Sequence, residues 1–318
     1  MLLKSNGHDV RVWEFDAEQC GRVNAEGENK KFLPGVSIPE GLVFFDDMAS
    51  VVPSAGALLF VVPSRHFRAT ARAAASAGAT AGTPLVVATK GLEDRTLLRM
   101  SQIIEEEHPA GDGAPLTVLV GPSHAEEVSR GIPTAVVAAS ADESAAAGAQ
   151  DLFMTEDFRV YTNTDVVGVE LGVAVKNVIA VAAGICDGLG FGDNTKGALL
   201  TRGLAEIVRL GTALDARPET FFGLAGVGDL ITTCLSRHSR NRHVGEQIGR
   251  GRTLQDIMLE MVMVAEGVDT ARAALTLANE NGVEMPITEQ VNAVLFEDKD
   301  PTAAIRELMT RERKAEVP

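Results

Sequence analysis

The chain has 318 residues, 45% hydrophobic and 23% charged, which is ordinary for a soluble globular protein and long enough for two domains. Its formal net charge of −15 argues against nucleic acid or an anionic membrane surface as the main partner. Cys20, Cys186 and Cys234 are odd in number and widely spaced, so they make neither a disulfide framework nor a metal cluster; the reading is a reducing cytoplasm and no metal.

Met1 to Asn6 is too short and polar for a signal peptide and reads as the last turn of a helix that Gly7 stops. Val10 to Trp13 reads as a strand ending in Glu14, with Asp16 close behind. An acidic side chain at such a strand end accepts from ribose hydroxyls in a dinucleotide-binding unit, although most strand-end acids are merely solvated. The pattern then alternates: strands over 57–62, 85–88 and 116–120, helices over 65–77 and 94–107, and a helix opened by Ser123. Continuous apolar strands between helices indicate a doubly wound parallel sheet, whose ligands bind at the carboxyl ends of strands. Lys90, in Thr89-Lys90-Gly91, sits at one such end, where it either reaches a substrate oxygen or is an exposed loop lysine. Ser123 and Glu126 have the spacing of a helix capping box. No G-x-G-x-x-G turn precedes Glu14, so the expectation is a Rossmann-like sheet truncated at its start, without its first strand and pyrophosphate loop.

Strands are expected over 133–139 and 158–161. Helices dominate after Asp165, which places a domain boundary near 163: a dinucleotide-binding unit over 1–163 and an all-α unit over 164–318. Residues 166–186 form an apolar helix nearly long enough to span a bilayer, but Glu170, Lys176 and Asn177 inside it favour a buried helix over an integral membrane segment. Lys176 has Gly172, Ala180 and Ala183 as helical neighbours, so its amine would emerge into space left by missing side chains. Burial would lower its pKa and suit it to general-base work; a lysine snorkelling at the helix edge is the plain alternative. Asp193, Asn194 or Thr195 would cap the next helix, and Arg202 and Glu206 on it would pair.

Gly226 to Arg242 is the local exception in an acidic chain. Arg237, Arg240 and Arg242 fall within six residues beside Ser239 and Asn241, a composition suited to a small phosphorylated ligand. Helices near 269–281, 288–296 and 301–313 come next, the last capped by Asp300 with Pro301 at its first position.

Taken together, Val61-Val-Pro-Ser64, Ala88-Thr-Lys90-Gly-Leu-Glu93, Val120-Gly-Pro-Ser123-His-Ala125-Glu-Glu-Val128, Val175-Lys176-Asn-Val-Ile-Ala180, Leu200-Thr-Arg-Gly-Leu-Ala-Glu206, Gly223-Leu-Ala-Gly-Val-Gly-Asp229-Leu, Ser239-Arg-Asn-Arg242, Val264-Ala-Glu266-Gly and Glu284-Met-Pro-Ile287 resemble bacterial NAD(P)-dependent glycerol-3-phosphate dehydrogenases, in order along the chain. The resemblance implies a Rossmann domain followed by a helical domain. It implies hydride transfer between sn-glycerol 3-phosphate and dihydroxyacetone phosphate, supplying glycerol 3-phosphate for glycerophospholipid synthesis. Lys176 would be the proton acceptor. Lys90, Gly121, Ser123, Asp229, Ser239, Arg240 and Asn241 would contact the substrate. Phe15, Lys90, Ala125, Arg240, Val264 and Glu266 would contact NAD or NADP, with Glu14 and Asp16 favouring NAD. A homodimer is compatible with this reading. Two rivals remain: a β-hydroxyacid dehydrogenase-like enzyme with a carboxylate site, and a truncated chain that binds ligands without turnover.

Overall fold

A computed structural model describes residues 1–108, 113–313 and 315–316. Lys314, Val317 and Pro318, at the end of the second expected unit, lie outside the described residues. The chain opens with α1 (Leu2–Ser5), β1 (Arg11–Trp13), α2 (Ala17–Glu26) and β2 (Val43–Phe45). It continues with β3 (Leu58–Phe60), α3 (Ser64–Ser76), β4 (Leu85–Val87), α4 (Met100–Glu107), β5 (Leu116–Val120), α5 (Ala125–Val128), β6 (Thr134–Ala139), α6 (Glu143–Phe153) and β7 (Phe158–Asn163). From there the described chain is helical: α7 (Val166–Gly188), α8 (Asp193–Ala213), α9 (Asp229–Leu235), α10 (Arg240–Gly249), α11 (Leu254–Glu260), α12 (Glu266–Glu280), α13 (Pro286–Phe296) and α14 (Pro301–Met309).

The strands form two sheets. β1 and β2 pair in parallel as a separate ribbon, and β3-β4-β5-β6-β7 form the main sheet. β3, β4 and β5 are parallel, as expected of apolar strands alternating with helices. β6 runs antiparallel to β5, and β7 is parallel to β6, so the main sheet is mixed. The β5–β6 connection contains only α5, a four-residue helix, too little cover for a crossover back across the sheet.

Several local expectations need correction. The helix expected over 94–107 begins only at Met100, because 92–99 closes on itself through a Leu92–Arg99 bridge and Leu97 adopts φ 61°. Ser123 forms no capping box: His124 is the cap position of α5, and the Ser123 hydroxyl donates to the Gly121 carbonyl at 3.0 Å. Gly192, not an Asx or Thr side chain, precedes α8. Arg202 and Glu206 do not pair; Glu206 instead accepts from the backbone at the start of α13. The expected cap Asp300 is present and accepts from Ala303 N at 2.8 Å.

α7 is the axis of the helical half. Asp165 caps it, accepting from Gly168 N at 2.9 Å, and its nearly all-apolar sequence is buried on every side. It is long and apolar enough to cross a membrane, yet 89% of its apolar window lies inside the protein. Two sets of glycines decide what packs on it. Gly172 leaves room for the backbone of Ala225 and Gly226: a Cβ there would stand 2.6 Å from the Ala225 carbonyl oxygen. Gly184 and Gly245 let α7 and α10 meet backbone to backbone, since a Cβ on either would overlap a carbonyl of the other helix. The space expected beside Lys176 is filled at Gly172 by the segment that delivers Asp229.

Candidate active site

Lys176 lies in the middle of α7 and is only 3% exposed. Its Nζ stands 3.0 Å from Asp229 Oδ1 and donates to the hydroxyl of Thr233. Asp229, 2% exposed, opens α9 directly after a single π turn over Leu224–Gly228. Such turns often mark functional positions, because the extra residue re-aims the next stretch of helix. Thr233 is one helical turn past Asp229, and its hydroxyl also donates to Asp229 Oδ1 at 3.2 Å.

The sheet contributes the third charge. Lys90, in the loop after β4, places Nζ 2.8 Å from Asp229 Oδ2 and 2.7 Å from the Gly121 carbonyl oxygen. Gly121 holds φ 150°, and a Cβ on it would press on the backbone of Val136. One carboxylate thus holds two ammonium groups, one on each oxygen, and joins the two halves of the protein. The net positive charge of this trio suits an anionic ligand.

The ionisation of the cluster is set by its burial. Desolvation brings Lys176 down to about 8; Asp229 opposes the fall and Lys90 adds to it. Burial pushes Asp229 upward, but the charges of Lys176 and Lys90 outweigh it and hold the carboxylate below its ordinary value. Burial pushes the neighbouring Cys234 thiol up to about 12, so it stays protonated.

The basic run is more divided than its composition suggested. Ser239 caps α10, its hydroxyl accepting from Arg242 N at 3.2 Å. Asn241 is buried; its amide donates to Asn177 Oδ1 at 2.9 Å and accepts from Gly267 N at 2.8 Å. This cross-link ties the start of α10 to the residue after Lys176. Arg242 turns away to Asp187 at 2.8 Å and Glu246 at 3.2 Å. Arg240 is exposed, and its charge acts on Glu266.

Two places could hold a dinucleotide. At the end of β1, Phe15 is 76% exposed and offers an open aromatic face. Glu14 beside it accepts from Asp16 N at 3.2 Å, and Asp16 caps α2. Near the cluster, Glu266 at the start of α12 accepts from Ser64 N at 3.0 Å and from the Ser64 hydroxyl, which ties α12 to the turn after β3. Ala125 is exposed at the first position of α5, and Val264 is half-buried just before α12. β1 and β3 share no ladder.

The structure therefore brings Lys176, Asp229, Lys90, Gly121 and Ser123 together, sets Ser239, Arg240 and Asn241 at the start of one helix, and leaves Phe15 apart in the turn after β1. No site role was foreseen for Thr233, Asn177 or Ser64. The one available signal was spacing: Thr233 falls four residues after Asp229, hence on the same helical face.

Two family models, describing the N-terminus and the C-terminus of NAD-dependent glycerol-3-phosphate dehydrogenase, match residues 1–146 and 165–306. A glycerol-3-phosphate dehydrogenase [NAD(P)+] of Pelotomaculum thermopropionicum is 50% identical over 99% of this chain and 90% of its own length. One from Geobacter sulfurreducens is 51% identical over 99% and 94%. The crystal structure of glycerol-3-phosphate dehydrogenase from Coxiella burnetii superimposes with a TM-score of 0.93 at 35% identity, covering 98% of this chain and 94% of that one. D-mandelate dehydrogenase, at 12% identity and a TM-score of 0.61, shares the fold alone. The chain belongs to the NAD-dependent glycerol-3-phosphate dehydrogenase family.

Proposed function

We infer that this chain is an oxidoreductase that interconverts sn-glycerol 3-phosphate and dihydroxyacetone phosphate with NAD or NADP, and that Lys176 is its proton acceptor. The observation that carries the reading is the buried trio in which Asp229 holds Lys176 on one oxygen and Lys90 on the other. The family favours this over a hydroxyacid substrate.

The bound nicotinamide supplies the hydride acceptor or donor for C2. In oxidation, the neutral amine of Lys176 takes the C2 hydroxyl proton; in reduction, its ammonium returns it. A value of about 8 leaves both forms accessible near neutral pH. Asp229 and Thr233 fix the direction of the amine and compensate its charge. Lys90 adds positive potential beside the reacting oxygen, and Gly121 and Ser123 complete that wall. Arg240, with Ser239 and the remaining amide hydrogen of Asn241, faces the phosphate. Phe15, Lys90, Ala125, Arg240, Val264 and Glu266 would hold the cofactor, and the carboxylates of Glu14 and Asp16 at the end of β1 disfavour a 2′-phosphate. Both sides of the boundary near 163 would serve the site: the sheet half with Phe15, Lys90, Gly121, Ser123 and Ala125, the helical half with Lys176, Asp229, Ser239, Arg240, Asn241, Val264 and Glu266. Three reduced, buried cysteines agree with a cytoplasmic setting.

The test is loss of NADH absorbance with dihydroxyacetone phosphate, run beside NADPH. The unaltered chain should consume NADH in preference, and Lys176→Ala should lower kcat by about 10²–10⁴-fold. A Lys176→Ala variant with near-normal kcat contradicts the assignment, and a clear NADPH preference contradicts the role given to Glu14 and Asp16.

A further inference from the structure

Two polar ends of the substrate have partners: Lys176 for the C2 oxygen, and the start of α10 for the phosphate. The C1 hydroxyl is left without one, and the loop between β5 and α5 holds a group suited to it. His124 comes directly after Ser123 there, three residues after the Gly121 carbonyl that Lys90 grips. Its Nε2 is completely buried and has no hydrogen-bond partner among the described residues. Its ring tilts against that of His238, with centroids 6.1 Å apart, one residue before Ser239. The imidazole thus stands where the sheet-end loop meets the segment leading into the start of α10. The charges of Lys176, Lys90, Asp229 and Glu126 all act on it, and His238 and Glu126 approach each other beside it at 3.9 Å.

A buried ring nitrogen without a partner is unfavourable, and native proteins rarely keep one unless a ligand or water completes it. Burial first, then the charges of Lys176 and Lys90, hold the imidazole below its ordinary value, so the ring is neutral at pH 7. In a neutral ring Nε2 either donates or accepts, according to tautomer. A hydroxyl answers both, whereas a carboxylate can only accept.

We propose that His124 is a specificity-determining residue whose Nε2 hydrogen-bonds the C1 hydroxyl of dihydroxyacetone phosphate and glycerol 3-phosphate. The proposal rests on the functional reading above. A site built to bond a hydroxyl rejects the analogue that lacks it, because its own polar group is then left unpaired.

The test compares dihydroxyacetone phosphate with acetol phosphate, which keeps the ketone and the phosphate but has a methyl group in place of the hydroxymethyl. The ratio of kcat/KM for the two is measured in the unaltered chain, in His124→Phe and in His124→Gln. Calorimetric Kd values provide the same ratio independently of turnover. The unaltered chain should favour dihydroxyacetone phosphate, and His124→Phe, or His124→Leu if the larger ring is not accepted, should shrink that preference about ten-fold. His124→Gln, whose amide can reach the Nε2 position, should restore part of it. General loosening of the fold lowers both ligands alike and leaves the ratio unchanged, so an unchanged ratio overturns the proposal. An unaltered chain that neither binds nor reduces dihydroxyacetone phosphate overturns the functional reading, and this proposal with it.

Discussion

Asp229 and Glu206 are two buried carboxylates of the helical half, 2% and 1% exposed, and they ionise in opposite directions. Burial pushes both upward. Asp229 faces two ammonium groups and ends below its ordinary value. Glu206 accepts from neutral donors at the start of α13, Ile287 N at 2.6 Å, Thr288 N at 3.2 Å and the Thr288 hydroxyl at 3.1 Å, and the charge of Arg209 acts on it more weakly than these bonds. It rises to about 7. The contrast teaches that depth and a shifted pKa do not by themselves make a reactive centre. Partners of opposite charge tie Asp229 into the Lys176–Lys90 cluster, while backbone donors make Glu206 a fastener between α8 and α13.

The comparison breaks first at Asp229. Asp229→Asn keeps the shape but leaves two ammonium groups facing each other without a counter-charge. Stability should fall by about 3 kcal/mol, as when one member of a buried ion pair is removed. Because Asp229 raises Lys176, its loss should also carry the lysine's ionisation below about 8. Urea unfolding and the pH profile of kcat/KM read the two effects; a profile with its limb unmoved contradicts the pairing.

At Glu206 the expected effect is on stability alone. Its folded value of about 7 exceeds its ordinary 4.5, so the fold favours the protonated carboxyl. Its stabilisation is therefore complete below pH 4.5 and lost as pH rises through 7, by about 3 kcal/mol in all. Glu206→Gln should flatten that dependence in urea unfolding and leave kcat as it was. A fall in kcat, or an unchanged slope of stability with pH, would remove the distinction between the two carboxylates.

Much of this was legible in the residues. Apolar strands between Ala-rich helices announced the sheet, and Lys176 inside a largely apolar helix pointed to the candidate site. Patterns that depend on a partner far along the chain were not. Glu206 and Arg202 have the spacing of a helical pair, yet the four-residue rule cannot foresee that the start of α13 will offer unpaired backbone donors. Arg242 looked like part of the phosphate site until Asp187, at the end of α7, drew it away. Thr233 sat in an unremarked Thr-Thr pair, and only the docking of α9 on α7 puts its hydroxyl on the Lys176 amine. The direction of β6 was hidden for a related reason, since apolar runs look alike in parallel and antiparallel pairs.

The most direct test of Lys176 as the proton-carrying group is the pH dependence of kcat/KM in both directions, which reports the free enzyme's essential acid or base. Oxidation of glycerol 3-phosphate needs the neutral amine and should rise through an ionisation near 8, while reduction of dihydroxyacetone phosphate needs the ammonium and should fall through the same one. Profiles that are flat in both directions from about pH 6 to 10, or that rise together, contradict it.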